Sequence, residues 1–182
     1  MNIQTAIRTK RAIRTFTPEP LPDEAIHAIL NAGRRAQSSK NMQAWHFIAI
    51  RDKTILKALS ECGGFAGHLA GAALGLAIIT PYPALRFNVM FDAGQAAAYM
   101  QLAAWELGIG SCLATIYEYD QARALLRFPD EMHLRIAISF GYPLEPEKLE
   151  RPARKTGRRA FDEVIHWDRW EASKGVYNPF GT

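Results

Sequence analysis

Ser38-Ser39-Lys40-Asn41-Met42-Gln43-Ala44-Trp45-His46-Phe47 runs from hydroxyl and carboxamide side chains straight into an apolar strand. Junctions of this kind are where a rigid scaffold presents hydrogen-bonding groups. Ser38, Ser39, Asn41 and Gln43 each donate and accept, which suits a planar heterocycle whose edge alternates carbonyls with ring nitrogens. Trp45 and Phe47 then anchor a strand, predicted over residues 44–50, in the core. Taken alone, the stretch is an ordinary Ser/Asn turn. Its company changes the reading.

One helix upstream lies Lys10-Arg11-Ala12-Ile13-Arg14-Thr15-Phe16, with three cations in a very short span. Clustered guanidinium and ammonium groups are what a phosphate needs, and a fixed cation beside a ring edge stabilises negative charge arriving on that ring. A phosphorylated redox heterocycle requires both features. A second basic cluster, Arg151, Arg154, Lys155, Arg158 and Arg159, stands near the other end of the chain.

Length and composition bound the fold. The 182 residues suffice for one well-buried domain, and no break in composition divides them, so a single domain over 1–182 is expected. The longest apolar run, residues 69–79, is too short to cross a bilayer. Cys62 and Cys112 have neither metal-ligand spacing nor a Cys-x-x-Cys pair, and free thiols in a reducing compartment are expected. The first residues lack the apolar core of a signal peptide, which makes the cytoplasm the default location. The formal charge of +4 permits nucleic-acid binding, but no recognition helix or interleaving of aromatic and basic residues supports it.

Residues 2–9 are predicted as a short amphipathic helix with Ile3, Ala6 and Ile7 on one face, delivering the basic cluster at its end. Pro22-Asp23-Glu24 opens a second helix through Ala25, Ile26, Ile29, Leu30 and Ala32, with Gly33 in its last turn. Asp52-Lys53 leads into a helix carrying Ile55, Leu56 and Leu59. A flexible connection then precedes a fully buried strand over 73–80. Residues 81–91 form a loop rich in apolar surface, either a substrate lid or a cap on the core. The long helix over 92–107 is small and apolar on more than one face, as suits a central core helix or one partly buried by a second subunit. Strands are predicted over 111–116 and 134–140, and a helix over 120–127. Residues 145–159 read as solvated loop. Phe161, Val164, Ile165, Trp167 and Trp170 make a tail with enough aromatic surface that burial on a partner chain is expected. Gly108-Ile109-Gly110 lacks the third glycine and the preceding strand of a dinucleotide-binding turn.

The basic motif at 10–16, Gln37-Ser38-Ser39-Lys40-Asn41-Met42-Gln43-Ala44-Trp45, and Arg158-Arg159-Ala160-Phe161-Asp162-Glu163-Val164 occur in that order. Between them stand Asp92-x-Gly94, Leu107-Gly108-Ile109-Gly110 and Gly141-Tyr142-Pro143. Together, over most of the chain, they resemble the FMN-dependent nitroreductase family. The resemblance implies an α+β fold with a central mixed, mainly antiparallel sheet flanked by helices and a C-terminal tail reaching a partner subunit. It implies a homodimer with FMN sites at the subunit interface.

As residue roles, the resemblance implies that Lys10, Arg11 and a late arginine, Arg158 or Arg159, hold the FMN phosphate, with Ala12 beside them. Arg14 lies by the pyrimidine edge of the flavin. Ser38, Ser39, Asn41 and Gln43 meet ribityl or ring atoms, and residues 113–115 pass near the flavin face. His68 falls where relatives place a further polar contact, although from the residues alone it is an exposed loop histidine. No side chain is nominated as acid, base or nucleophile, and no metal is expected. Lys10 in place of an arginine gives a point charge where a fork is usual, Ala12 lacks a hydroxyl, and Gln37, Ala44 and Ala160 replace prolines.

The implied activity is ping-pong: hydride passes from NADH or NADPH to flavin N5, then on to a nitroaromatic, quinone or similar small-molecule acceptor. The rival readings are a specialised FMN-dependent dehydrogenase or dehalogenase, and a non-catalytic flavin-binding protein.

Overall fold

The computed structural model describes residues 2–84, 87–150 and 158–170. Leu85 of the apolar connector and Arg151, Arg154 and Lys155 of the late basic cluster lie outside them. The chain divides into two units, Met1–Arg151 and Pro152–Thr182, each described by itself.

In the first unit the elements run α1 (Ile3–Thr9), α2 (Asp23–Arg34), β1 (His46–Ile50), α3 (Lys53–Ser60), β2 (Leu74–Pro81), α4 (Asn88–Glu106), β3 (Gly110–Thr115), α5 (Tyr119–Leu126) and β4 (Met132–Gly141). Short 3-10 turns occupy Ser39–Asn41, Gly67–Leu69 and Pro146–Leu149. The second unit contributes α6 (Phe161–Val164).

The four strands make one sheet in the order β1-β2-β4-β3, every neighbouring pair antiparallel. The parallel element of the sheet is a single bridge between Ala12 and Ser111. Helices cover both faces. On one, Ile26 and Ile29 of α2 and Ala93, Ala96, Ala97 and Met100 of α4 pack on Leu74, Leu76, Ile78, Ile138 and Phe140. On the other, Leu56 and Leu59 of α3 and Ala122 of α5 pack on Ala77, Ile79, Leu134, Ala137 and Ala114. β2 is thus buried on both sides, which is why it reads as an unbroken apolar run. α2 comes close to α4 at Gly33, where a Cβ would meet Met100 Sδ at 2.7 Å and the flexible thioether would have to give way.

β4 carries a bulge. Ile78 pairs with Ile136 and Ile79 with Leu134, so Arg135 has no opposite number on β2. Its guanidinium lies over the Tyr117 ring, 4.9 Å from the centroid, and meets the Tyr119 hydroxyl.

Several expectations are corrected. α4 begins at Asn88, so the connector after β2 is shorter than 81–91: Val89 is buried and extends the inner stripe of Ala93, Ala96 and Met100. β1 starts at His46, the first residue to pair with β2, opposite Ile79, two residues later than expected. In α1 the buried residues are Ala6 and Thr9, while Ile3 and Ile7 are exposed at 67% and 59%. Helix periodicity fixed that face in phase with Ile3 and Ile7, but docking on α4 turned it by one residue. His68 sits in the Gly67–Leu69 turn and is buried, not exposed. The stretch at 145–159 is not wholly loop, since Pro146–Leu149 is 3-10 helical.

Candidate functional site

The basic motif is held along the outer edge of β3. Ile13 N–H donates to Ser111 O at 3.0 Å, and further on Thr17 N–H donates to Tyr142 O at 2.8 Å and Leu144 N–H to Thr15 O at 3.1 Å. Ile13 is buried with Ala6 and Trp105, in space that exists because residue 110 is glycine; a Cβ there would lie 2.7 Å from Ile13 Cβ. Side chains alternate along extended backbone, so Ala12 and Arg14 face away from Ile13. Both are exposed.

The charges of Arg14 and Lys10 are felt in the interior behind them. The charge of Arg14 acts on His68 and on Cys112, and that of Lys10 on Cys112. Burial pulls the His68 pKa below its ordinary value, opposed by the Leu113 carbonyl and assisted by Arg14. Burial pushes the Cys112 thiol up, against the pull of Arg14 and Lys10. His68 Nδ1 shares a hydrogen bond of 2.7 Å with Ser139 Oγ, and Ser139 also reaches the Cys112 carbonyl at 3.4 Å. At the start of the motif, Arg11 Nε donates to Thr9 O at 3.2 Å. Two buried nitrogens, Arg11 Nη2 and His68 Nε2, meet no hydrogen-bond partner among the described residues. Buried polar atoms of this kind cost free energy unless a ligand or water meets them, so each is a candidate contact for a bound group.

The carboxamide loop is strained. Lys40, Asn41 and Gln43 adopt φ of 51°, 55° and 48°. For residues with side chains that region costs roughly 1–2 kcal/mol each, and such strain gathers at ligand-binding sites. Gln43 N–H donates to Ser38 Oγ at 2.9 Å, Asn41 N–H to Ser38 O at 3.0 Å, and Gln43 Nε2 to Asn41 Oδ1 at 3.0 Å. Ser39 N–H donates to the carboxylate of Asp92 on α4, 3.2 Å from Oδ1 and 3.1 Å from Oδ2. Asn41 and Gln43 remain exposed.

One helix therefore carries both motifs. Asp92 near its start holds the loop. Near its end Gln101 Nε2 donates to Ser111 Oγ at 3.1 Å, beside the basic segment. About 14 Å of helix separates the two anchor points. Lys10 and Arg14 are within electrostatic reach of Cys112, and Arg14 of His68; Ser38, Ser39, Asn41 and Gln43 form a second set. A cavity of about 570 Å³ against α2 is lined by His27, Ala28, Leu30, Asn31, Arg34 and Phe47, none of them from either set. In the second unit Arg158 and Arg159 are exposed, and Arg159 pairs with Glu163 at 3.2 Å.

Sequence reasoning overlooked the roles of Ser139 and Gln101. Each had a signal: Ser139 shares a face of β4 with Ala137 where an apolar residue is expected, and Gln101 is a polar break in a small, apolar helix. Among the described residues no group of three His, Cys, Asp or Glu is placed to hold a metal ion, and no helix is long and apolar enough to cross a membrane.

The model of the Nitroreductase family matches residues 7–62 and 64–142. An Archaeoglobus fulgidus protein described as an NADH dehydrogenase/NAD(P)H nitroreductase is 32% identical over 174 residues, 90% of this chain and 96% of that protein. Among solved structures, an FMN-dependent nitroreductase from Clostridium difficile superposes with a TM-score of 0.82 at 29% identity, covering 92% of this chain and 100% of that one. An NADH dehydrogenase/NAD(P)H nitroreductase from Parabacteroides distasonis gives 0.80 at 26% identity over 93% and 100%. With the matched model spanning both motif sets and the sheet that supports them, the chain belongs to the Nitroreductase family.

Proposed function

We propose that the protein is an FMN-dependent NAD(P)H oxidoreductase of nitroreductase type, its whole length serving one FMN-binding domain. The observation that carries the reading is Arg11: a buried guanidinium nitrogen, Nη2, with no acceptor among the described residues, in a segment that Lys10 and Arg14 make strongly positive. A phosphate oxygen is the acceptor that such a donor suits. The residues fit FMN. Lys10 and Arg11, with Arg158 or Arg159, hold its phosphate beside Ala12; Arg14 places its charge at the pyrimidine edge; Ser38, Ser39, Asn41, Gln43 and His68 meet polar atoms of the ribityl chain and ring.

Bound FMN supplies hydride acceptance at N5 from NADH or NADPH and delivery to a nitroaromatic, quinone or similar small acceptor by turns in one cleft. The protein's part is orientation and electrostatics. Arg14 favours negative charge on the ring, and burial, by lowering the His68 pKa, keeps the imidazole neutral.

The site is completed in a homodimer. Within one chain the two motif sets are tied to points about 14 Å apart along α4, Asp92 and Gln101, and in the dimer a second copy presents its carboxamide loop to the first copy's cations. Ile3, Ile7, Phe87, Phe91 and Tyr99 are exposed and suit that interface, and Phe161, Val164, Trp167 and Trp170 belong to the tail that reaches the partner. The cytoplasm is where the reductant is at hand.

Absorbance of the purified protein in the blue and near ultraviolet, followed by anaerobic titration with NADH and with NADPH, tests the reading. Flavin bands that bleach with reductant and return with a nitroaromatic or quinone are expected. A colourless protein that gains no flavin absorbance with added FMN would end it.

A further inference from the structure

We infer that Asp92 is a positioning residue for the cofactor: its buried carboxylate, by holding the Ser39 amide, sets where the strained Ser38–Gln43 loop presents its side chains. The inference rests on the FMN reading above and goes beyond it by assigning a role to a residue outside the ligand-contacting sets.

The loop's own bonds shape it but do not place it. Asn41 to Ser38, Met42 to Ser39, and Gln43 to both Ser38 and Asn41 all close within the loop. They are compatible with the same turn displaced over the surface. The bond from Ser39 N–H to Asp92 is different in kind, because it crosses 53 positions of sequence to a rigid helix. Asp92 is only 5% exposed and lies between Val89 and Ala96 on the stripe of α4 that packs on the sheet. A buried carboxylate must be hydrogen-bonded, and here both oxygens address one amide. At 3.1 and 3.2 Å the bond is shared between the two oxygens, and what fixes the amide is the buried carboxylate's seat on a packed helix. The strain at Lys40, Asn41 and Gln43 then has a counterweight: release of Ser39 allows the loop to relax to right-handed conformations, which moves the Asn41 and Gln43 carboxamides. Binding groups displaced by about 1 Å lose most of their value.

Three measurements test this. Asp92→Ala should raise the FMN dissociation constant, read by quenching of flavin fluorescence, by about tenfold or more, whereas Asp92→Asn, which keeps one acceptor oxygen, should stay within about threefold of wild type. The visible circular dichroism of bound flavin should change in Asp92→Ala and be restored in Asp92→Asn, a signature that lowered global stability alone does not produce. In unmodified protein the Ser39 amide should be protected from deuterium exchange, which remains decisive if Asp92→Ala fails to fold. An unprotected Ser39 amide, or a folded Asp92→Ala that binds FMN within about twofold of wild type, overturns the assignment. Wild-type protein that takes up no FMN overturns the cofactor reading and this role with it; wild-type uptake beside an unaffected Asp92→Ala overturns the role alone.

Discussion

Trp105 Nε1 donates to Thr9 Oγ1 across 3.0 Å, and Thr9 in turn donates to Thr5 O at 2.8 Å, so the end of α4 grips the last turn of α1 where the basic motif begins. Both residues are buried. Thr9→Val keeps the volume and leaves the indole N–H without its acceptor. A loss of about 1–3 kcal/mol is expected, read as a lower urea midpoint with an unchanged slope. An unmoved midpoint would mean that α1 is docked by packing alone.

Arg11→Ala should weaken FMN binding by about tenfold to a hundredfold, the range that corresponds to losing one hydrogen bond to a charged group. Arg11→Lys should recover part of the charge but not the fork, and so lie between the two. Equilibrium titration of the flavin-free protein decides it, and equal affinity in all three forms would remove Arg11 from the site.

Arg14→Ala removes the cation whose charge reaches His68 and Cys112. The bound flavin's midpoint potential should fall by on the order of 30 mV or more, about 1.4 kcal/mol for a two-electron couple. Spectroelectrochemical titration measures this. A potential that does not move would place Arg14 away from the ring.

Gly110→Ala is expected to be costly despite adding one methyl group. The new Cβ would sit 2.7 Å from Ile13 Cβ and 2.8 Å from its Cγ2, and a β-branched, buried neighbour cannot swing aside. Overpacking of this kind destabilises by about 1–3 kcal/mol, and pushing the segment off β3 should also loosen FMN. Melting temperature and FMN titration together test both halves.

His68 is held neutral by burial, its folded pKa lying below the ordinary value of 6.5. The unfolded chain then takes up the proton first as the pH falls. Stability is at its full value above 6.5, declines as the pH falls from there toward the lower folded pKa, and levels off below it. His133, also lowered by burial, acts in the same sense. Denaturation midpoints between neutral and acidic pH should therefore show a slope that His68→Gln reduces. A slope unchanged by that substitution would assign the acid sensitivity to other groups.

How much of this could be seen in the sequence depended on whether a feature is local. Helical spacing of Ile26, Ile29 and Gly33 gave α2, and the unbroken run from Leu74 to Thr80 gave a strand covered on both faces. The basic motif and the carboxamide loop were visible from side-chain chemistry, and each is held as a unit. What failed was phase and reach. Exposed Phe87 and Phe91 concealed that Val89 already continues the inner stripe of α4, and the apolar residues of α1 suggested a face that α4 does not take. His68 looked like a loop histidine because Ser139, its partner, lies 71 positions away. Asp92 was visible as a landmark, but its tie to Ser39 is a property of the tertiary fold.

The bulge in β4 makes Arg135 a supernumerary residue. Ile136 and Leu134 on either side already keep step with Ile78 and Ile79, one pointing to each layer of helices, as if residue 135 had been spliced into a finished ladder. The half-buried side chain of Arg135 is turned to Tyr117 and Tyr119, which leaves the ladder contacts of the sheet to its neighbours. An extra residue in the strand thus becomes a cation laid across two aromatic rings.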